Sequence, residues 1–220
     1  LFILCKLKRF TKIIGISGPS VDFSLYLLTE LITIDVIQLV QGNIAKSRVA
    51  NFGLIRAKQV FYLPSTRDSI LNTLNTQCKQ RRVLTEKFSP FINGIDCYTI
   101  KKKVNKEKIG FLWAASLTKW KKVELFINAM DKLNSFQIPK DSYYASVCYI
   151  KPQNDAYIDI ASLDKIDNVN WFNDPLNLND IRANSSVFIS TSEHEPFGLS
   201  ILEAMAAGLA IVIPADDAYW

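Results

Sequence analysis

Short runs of β-branched and aromatic residues, each followed by a segment of helix length, recur along this chain. Lys12-Ile-Ile-Gly-Ile-Ser, Ile34-Asp-Val-Ile-Gln-Leu-Val-Gln and Val60-Phe-Tyr-Leu come first. Ile109-Gly-Phe-Leu-Trp-Ala-Ala, Tyr143 to Ile150, Val169-Asn-Trp-Phe, Ser186 to Ser190 and Ala210-Ile-Val-Ile-Pro follow. Strands joined by helical crossovers pair in parallel and carry helices on both faces, so the alternation predicts an α/β chain. The intervening helices are expected at Val21–Leu31, capped by Ser20, and at Ala45–Lys58, with Ala45, Val49, Phe52 and Ile55 near one face. A third starts at Pro64-Ser65 and runs to Leu74, with Ile70, Leu71 and Leu74 inward. Later ones are expected at Val123–Leu133, with Leu125, Phe126, Ala129 and Met130 inward, and at Ala156–Leu163 and Asn177–Ala183. Phe2–Phe10 reads as a short amphipathic helix.

The alternation occurs twice, separated by the charge run Lys101-Lys-Lys-Val-Asn-Lys-Glu-Lys108. Such a run reads as a solvated linker and sets a boundary between residues 1–100 and 101–220. Two doubly wound sheets, each Rossmann-like, are expected to face a ligand cleft at the carboxyl ends of their strands. Apolar residues make up 49% of the chain against 21% charged, so both halves can build a packed core.

Cys5, Cys78, Cys97 and Cys148 lack metal-site spacing, and with His194 as the single histidine no metal site is expected. Free thiols in a reducing, cytoplasmic compartment follow. The longest apolar stretch, Val21 to Gln41, is broken by Asp22, Glu30 and Asp35, and the start lacks the composition of a signal peptide. Residues 1–100 hold 13 basic and 6 acidic side chains, for +7, and residues 101–220 are at −2. A basic first half suits an anionic membrane surface or an acidic acceptor. No pattern favours nucleic acid.

Two stretches carry chemistry. Ser190-Thr-Ser-Glu-His-Glu-Pro-Phe-Gly-Leu-Ser-Ile-Leu-Glu-Ala-Met-Ala-Ala-Gly reads as a strand end, a polar loop and a helix opening near Phe197 and stopped by Gly208. Glu195 and Glu203 bracket the junction, and Gly198 lets backbone N–H groups approach an anion. Glu203 sits among Ile201, Leu202, Ala204 and Met205, where an acid needs a partner. The second stretch, Ser116-Leu-Thr-Lys119-Trp-Lys121-Lys122, puts three lysines in the loop after the first strand of the second half. Cations at a helix start are unfavourable unless an anion compensates, which points to phosphate.

Glu195-Pro-Phe-Gly-Leu-Ser-Ile-Leu-Glu203-Ala-Met-Ala-Ala-Gly resembles the E-x7-E motif of the retaining GT-B glycosyltransferases of glycosyltransferase family 4. Pro90-Phe-Ile-Asn93-Gly94-Ile-Asp96 resembles the same family's interdomain segment, and Ala115-Ser-Leu-Thr-Lys-Trp-Lys121 its lysine loop. The three come in the family's order. The resemblance implies a GT-B fold with both domains incomplete, the chain opening on Leu1 and ending at Trp220. It implies a nucleotide-diphosphate sugar as donor, a glycan or lipid-linked acceptor, and a place in surface polysaccharide synthesis at the cytoplasmic membrane face.

Carried over by position, Glu195 would act at the donor sugar, Glu203 would bind the ribose, and Lys121 with the N–H groups of Gly198 and Leu199 would receive the diphosphate. No metal or other cofactor is implied. The family's arginine falls on Ser116 and its glycine on Lys122, so Lys119 or Lys122 would supply the missing phosphate contact. His194 is a further donor-side candidate, Trp120 reads as a packing side chain, and Asp216-Asp217 as a loop after a strand. A GT-B-like binding module without catalysis, an epimerase or a phosphorylase on the same architecture are the alternatives.

Overall fold

The structure is a computed structural model that describes residues 10–77, 83–104, 107–136, 138–152, 158–159, 163 and 166–215. It divides into two units between Asn93 and Gly94. The expected helices at Phe2–Phe10 and over most of Ala156–Leu163, together with Cys5, Cys78 and Asp216-Asp217, lie outside the described residues.

The first unit holds β1 (Lys12–Gly15), α1 (Phe23–Leu28), β2 (Asp35–Val40), α2 (Arg48–Arg56), β3 (Gln59–Tyr62), α3 (Arg67–Leu74) and β4 (Phe88–Pro90). The strands form a wholly parallel sheet in the order β1-β2-β3-β4. Its core gathers Tyr26, Val36, Val40, Leu54, Val60, Ile70 and Leu74. Two expectations need correction. The first helix is shorter than Val21–Leu31, and Ser20 does not cap it. Gly18 turns the chain at φ 101° and Asp22 takes the N-cap position without capping by its side chain. The Asp22 carboxylate is engaged elsewhere, accepting from Ser17 N–H at 3.0 Å and from Gln38 Nε2 at 3.0 Å.

The buried face of α2 is Ala50, Asn51, Gly53 and Leu54, whereas Val49 and Ile55 are exposed. A methyl group on Gly53 would stand 2.7 Å from the Tyr26 ring. Close approach of α1 requires a glycine at this position.

The second unit holds β5 (Ile109–Ser116), α4 (Val123–Ser135), β6 (Tyr143–Ile150), β7 (Val169–Asn173), α5 (Leu178–Asn184), β8 (Val187–Ile189), α6 (Leu199–Ala207) and β9 (Ala210–Val212). Its sheet is also wholly parallel, in the order β7-β6-β5-β8-β9. Trp113, Leu117, Val123, Phe126, Ile127, Met130 and Val147 form the core. The inward face of α4 is therefore Val123, Phe126, Ile127 and Met130; Leu125 and Ala129, expected inward, are exposed.

The division between units falls ahead of the basic run that the sequence marks as the boundary. That run is bonded into the second unit. Lys103 N–H donates to Ala207 C=O at 2.8 Å and Val104 N–H to Ala183 C=O at 2.7 Å. Lys101 Nζ pairs with Asp180 at 2.5 Å, and Lys102 Nζ donates to the Ala206 carbonyl at 2.6 Å. Carbonyls at the ends of α5 and α6 thus gain donors, which offsets the negative ends of their dipoles.

Candidate functional site

Strand order places the site. The chain leaves β5 toward β6 and β7, then returns to pair β8 on the other side of β5, with Phe111 beside Val187 and Leu112 beside Phe188. This reversal is a topological switch point, where open α/β sheets bind ligands beyond the strands' carboxyl ends. Two loops leave that edge side by side: 117–122 after β5 and 190–198 after β8.

The loops are tied to each other. Glu193 N–H donates to the Trp120 carbonyl at 2.8 Å. Thr191 Oγ1 donates to the Lys121 carbonyl at 2.7 Å and accepts from the buried Trp113 Nε1 at 3.0 Å. Lys122 Nζ pairs with Glu193 at 3.1 Å. Within this frame Lys121 Nζ donates to Glu195 Oε2, and its ammonium lies 3.9 Å from the centre of the Trp120 ring. The Lys121 and Glu195 side chains are only 14% and 12% exposed.

Lys122 stands where the resemblance expects a glycine. Lys122 takes a left-handed conformation, φ 52°, immediately before α4. Glycine favours this region, so the lysine retains a glycine-like turn at some cost. Gly198 opens α6 at φ 78°, and a methyl there would stand 2.8 Å from Ile201 Cδ1. The N–H groups of Gly198 and Leu199 make no hydrogen bond among the described residues. They leave a small positive end beside Lys121, a pattern that suits an anion.

Glu203 is placed differently from Glu195. It faces α5, where Arg182 Nη2 donates to its Oε2 at 2.5 Å. Arg182 is 2% exposed, and its Nη1 donates to Asn179 Oδ1 at 2.5 Å. Burial pulls its guanidinium below the ordinary pKa, and Glu203, then Cys148, pull it back. The partner that an acid on so apolar a helix requires is therefore a buried arginine.

The remaining candidates stand apart from the pair. Ser116 Oγ lies 3.3 Å from Thr118 Oγ1, while Lys119 and His194 are exposed, the latter at φ 51°. Trp120 is not packed away: it is 39% exposed and lends its ring face to Lys121. Sequence reasoning missed Thr191, Trp113, Glu193 and Arg182. For Arg182 alone there was a signal, since Glu203 demanded a counter-charge.

The first unit has a cavity of its own, about 420 Å³, at the carboxyl ends of β1 and β2. Ser17, Ser20, Gln41 and Asn43 line it beside Val21 and Ile44, and no charged side chain does. Buried Gln38 in β2 ties the neighbouring elements together, donating from Nε2 to Gly15 C=O at 3.1 Å and to Asp22, and accepting from Tyr26 OH.

These two Rossmann-like units of parallel α/β structure define a GT-B type chain. Residues 98–218 match the family described as "Glycosyl transferases group 1", more than half of the chain, and the chain belongs to that family. Comparison with curated proteins returns no match. Among solved structures it is similar to Anabaena HepE in complex with UDP (TM-score 0.69, 14% identity, covering 96% of this chain and 61% of that one). The sucrose-phosphate synthase of Thermosynechococcus elongatus is also similar (0.73, 14%, 97% and 58%). So is the UDP-forming α,α-trehalose-phosphate synthase of Burkholderia xenovorans, in complex with glucose-6-phosphate (0.74, 10%, 96% and 61%). The chain spans about three fifths of the length of these neighbours. Among the described residues no helix is long and apolar enough to cross a membrane.

Proposed function

We propose that this chain forms part of a retaining glycosyltransferase of family 4 type, which moves a sugar from a nucleotide-diphosphate sugar to a glycan or lipid-linked acceptor. The observation that carries the reading is the meeting of Lys121 with Glu195 at the β5–β8 switch point. The anomeric carbon exchanges its bond to the diphosphate for one to an acceptor oxygen, the acceptor's hydroxyl proton passes to the leaving diphosphate, and negative charge grows on that diphosphate as its bond breaks. Lys121 and the N–H groups of Gly198 and Leu199 meet that charge, and fixed charges and dipoles of this kind supply much of the rate enhancement in many enzymes. Glu195, released from Lys121 as the diphosphate arrives, positions the donor sugar, and Glu203 accepts from the ribose. Lys119 supplies the phosphate contact that Ser116 cannot, and His194 borders the donor.

Lysine and amides take the part of a cation, so the reaction is expected to proceed at full rate in EDTA. UDP, which is in complex with Anabaena HepE, is the first nucleotide to try. The uncharged hydroxyl and amide lining of the cavity in the first unit suits sugar hydroxyls on the acceptor side. The basic first hundred residues suit the anionic cytoplasmic face of a membrane in surface-polysaccharide synthesis, and co-sedimentation with anionic liposomes tests that.

The deciding experiment is sugar transfer by the protein as its native gene encodes it, beside Glu195→Ala, with the product anomer read by NMR. Transfer with retention that Glu195→Ala abolishes supports the reading. Equal turnover by both removes Glu195 from it, and inversion removes the family 4 mechanism.

A further inference from the structure

We infer that Arg182 is the residue that positions Glu203 for the nucleoside: it holds one carboxylate oxygen from the buried side and leaves the other to accept the ribose hydroxyls. This rests on the ribose role of Glu203 proposed above.

The geometry is one-sided. Arg182 reaches Glu203 through a single nitrogen, Nη2, onto a single oxygen, Oε2, instead of closing a two-pronged pair. Its Nη1 is taken by Asn179 Oδ1, and its Nε is buried without a partner among the described residues. Glu203 Oε1 has no partner among the described residues, and its side chain is 32% exposed against 2% for Arg182. The carboxylate thus stands between a buried cation and open space, with one oxygen fixed and one on offer.

Its position along α6 fits the task. Leu199 to Glu203 is about one helical turn, roughly 6 Å at ~1.5 Å per residue. A diphosphate against the helix start would bring the attached ribose alongside that turn. The arginine is in turn fixed from behind. Its helix α5 is held by the 99–104 segment through Asn179 Nδ2 to Thr99 C=O (3.2 Å), Lys101 to Asp180 (2.5 Å) and Val104 N–H to Ala183 C=O (2.7 Å). A carboxylate on an exposed helix face would sample several rotamers, whereas a charge-assisted bond to an immobile guanidinium leaves one. A plain clamp between α5 and α6 would use the same contact, so the test must read the ribose and not only stability.

The test uses the protein as its native gene encodes it, with Arg182→Gln, Arg182→Lys and Glu203→Gln. Dissociation constants are measured for UDP, GDP and ADP and for their 2′,3′-dideoxy counterparts. The readout is the ratio of deoxy to ribose form, on the nucleotide that wild type binds most tightly. Wild type should favour the ribose form about tenfold or more, the worth of a hydrogen bond to a charged group. Arg182→Gln should bring the ratio to within about twofold of unity, as Glu203→Gln does, with the lysine variant between. If Arg182→Gln lowers the melting temperature but keeps the wild-type ratio, Arg182 is a clamp and the inference is overturned. If Arg182→Gln does not fold, Arg182→Lys decides: a reduced ratio supports the inference and an unchanged one overturns it. A wild-type ratio near unity, or one that Glu203→Gln leaves intact, removes the ribose role of Glu203 itself, an outcome distinct from failure of Arg182 alone.

Discussion

Lys121 Nζ is bonded to Glu195 Oε2, joining the loop after β5 to the loop after β8 with both side chains nearly withdrawn from solvent. On the proposed function, a diphosphate entering between Lys121 and the start of α6 would take over the lysine and release the glutamate. On that reading, Lys121→Ala would remove the fixed cation from the charge that grows in the transition state. Steady-state kinetics should show kcat falling about 10²–10³-fold, as loss of one such donor does elsewhere, with a smaller change in KM for the donor. A change confined to KM would make Lys121 a ground-state binding residue.

Thr191 bonds Trp113 and the Lys121 carbonyl at once, so its two variants should part company. Thr191→Val leaves the indole N–H of Trp113, itself 1% exposed, without its acceptor and frees the Lys121 carbonyl. An orphaned buried donor costs about 1–3 kcal/mol. Thermal unfolding should shift down by several degrees for valine and little for serine, which keeps both bonds. Donor turnover should follow the same order, because the Lys121 backbone is what the hydroxyl anchors.

The β-branched and aromatic runs, each separated by a segment of helix length, mark the strands and the two parallel sheets. Which helix face turns inward was harder to read. In α2 the buried positions are Ala50, Asn51, Gly53 and Leu54, and only the approach of Tyr26 shows why a glycine stands at 53. In α4 the core takes Val123, Phe126, Ile127 and Met130, and Leu125, one residue out of that stripe, is left exposed. The lysine loop and the E-x7-E stretch were legible as separate pieces. Their meeting depended on β8 pairing with β5, a long-range choice that no local pattern records. Arg182 was hidden for a related reason: it comes from another helix, and only the unmet charge of Glu203 hinted at it.

Lys122 at φ 52° gives a stability test whose sign can be worked out. The left-handed backbone costs a side-chain-bearing residue about 1–2 kcal/mol. Its ion pair with Glu193, 33% and 58% exposed, is worth about 0–1 kcal/mol. Lys122→Ala loses the pair and keeps the strain; Lys122→Gly loses the pair and sheds the strain, against a smaller entropy cost in the unfolded chain. Lys122→Gly should therefore be the more stable of the two, by a few tenths to about 1 kcal/mol, and no less stable than wild type by more than ~0.5 kcal/mol. Denaturant midpoints of the three proteins measure this, and an alanine variant that outlasts the glycine one would contradict the strain assigned to Lys122.

Cys148, buried behind Arg182, sets a pH dependence. Burial pushes its thiol up from 9.0 to about 11, with Arg182 pulling partly the other way. Below pH 9 the folded and unfolded chains both keep the proton, so Cys148 adds no slope there. Between pH 9 and about 11 the unfolded chain sheds its proton while the folded one holds it, and stability falls; above about 11 both are ionised and the loss levels off. Tyr26, whose phenol burial also raises, adds to the fall only once the pH passes its ordinary value of 10.0, and it does so in wild type and variants alike. Urea midpoints taken across this range should decline for wild type and decline less for Cys148→Ala, with the difference opening from pH 9. Thiol labelling gives an independent check. Exposed Cys97 should react at once in the native protein, and Cys148 only as the second unit opens. Equal labelling rates at the two sites, or identical pH slopes for wild type and Cys148→Ala, would contradict the burial assigned to this thiol.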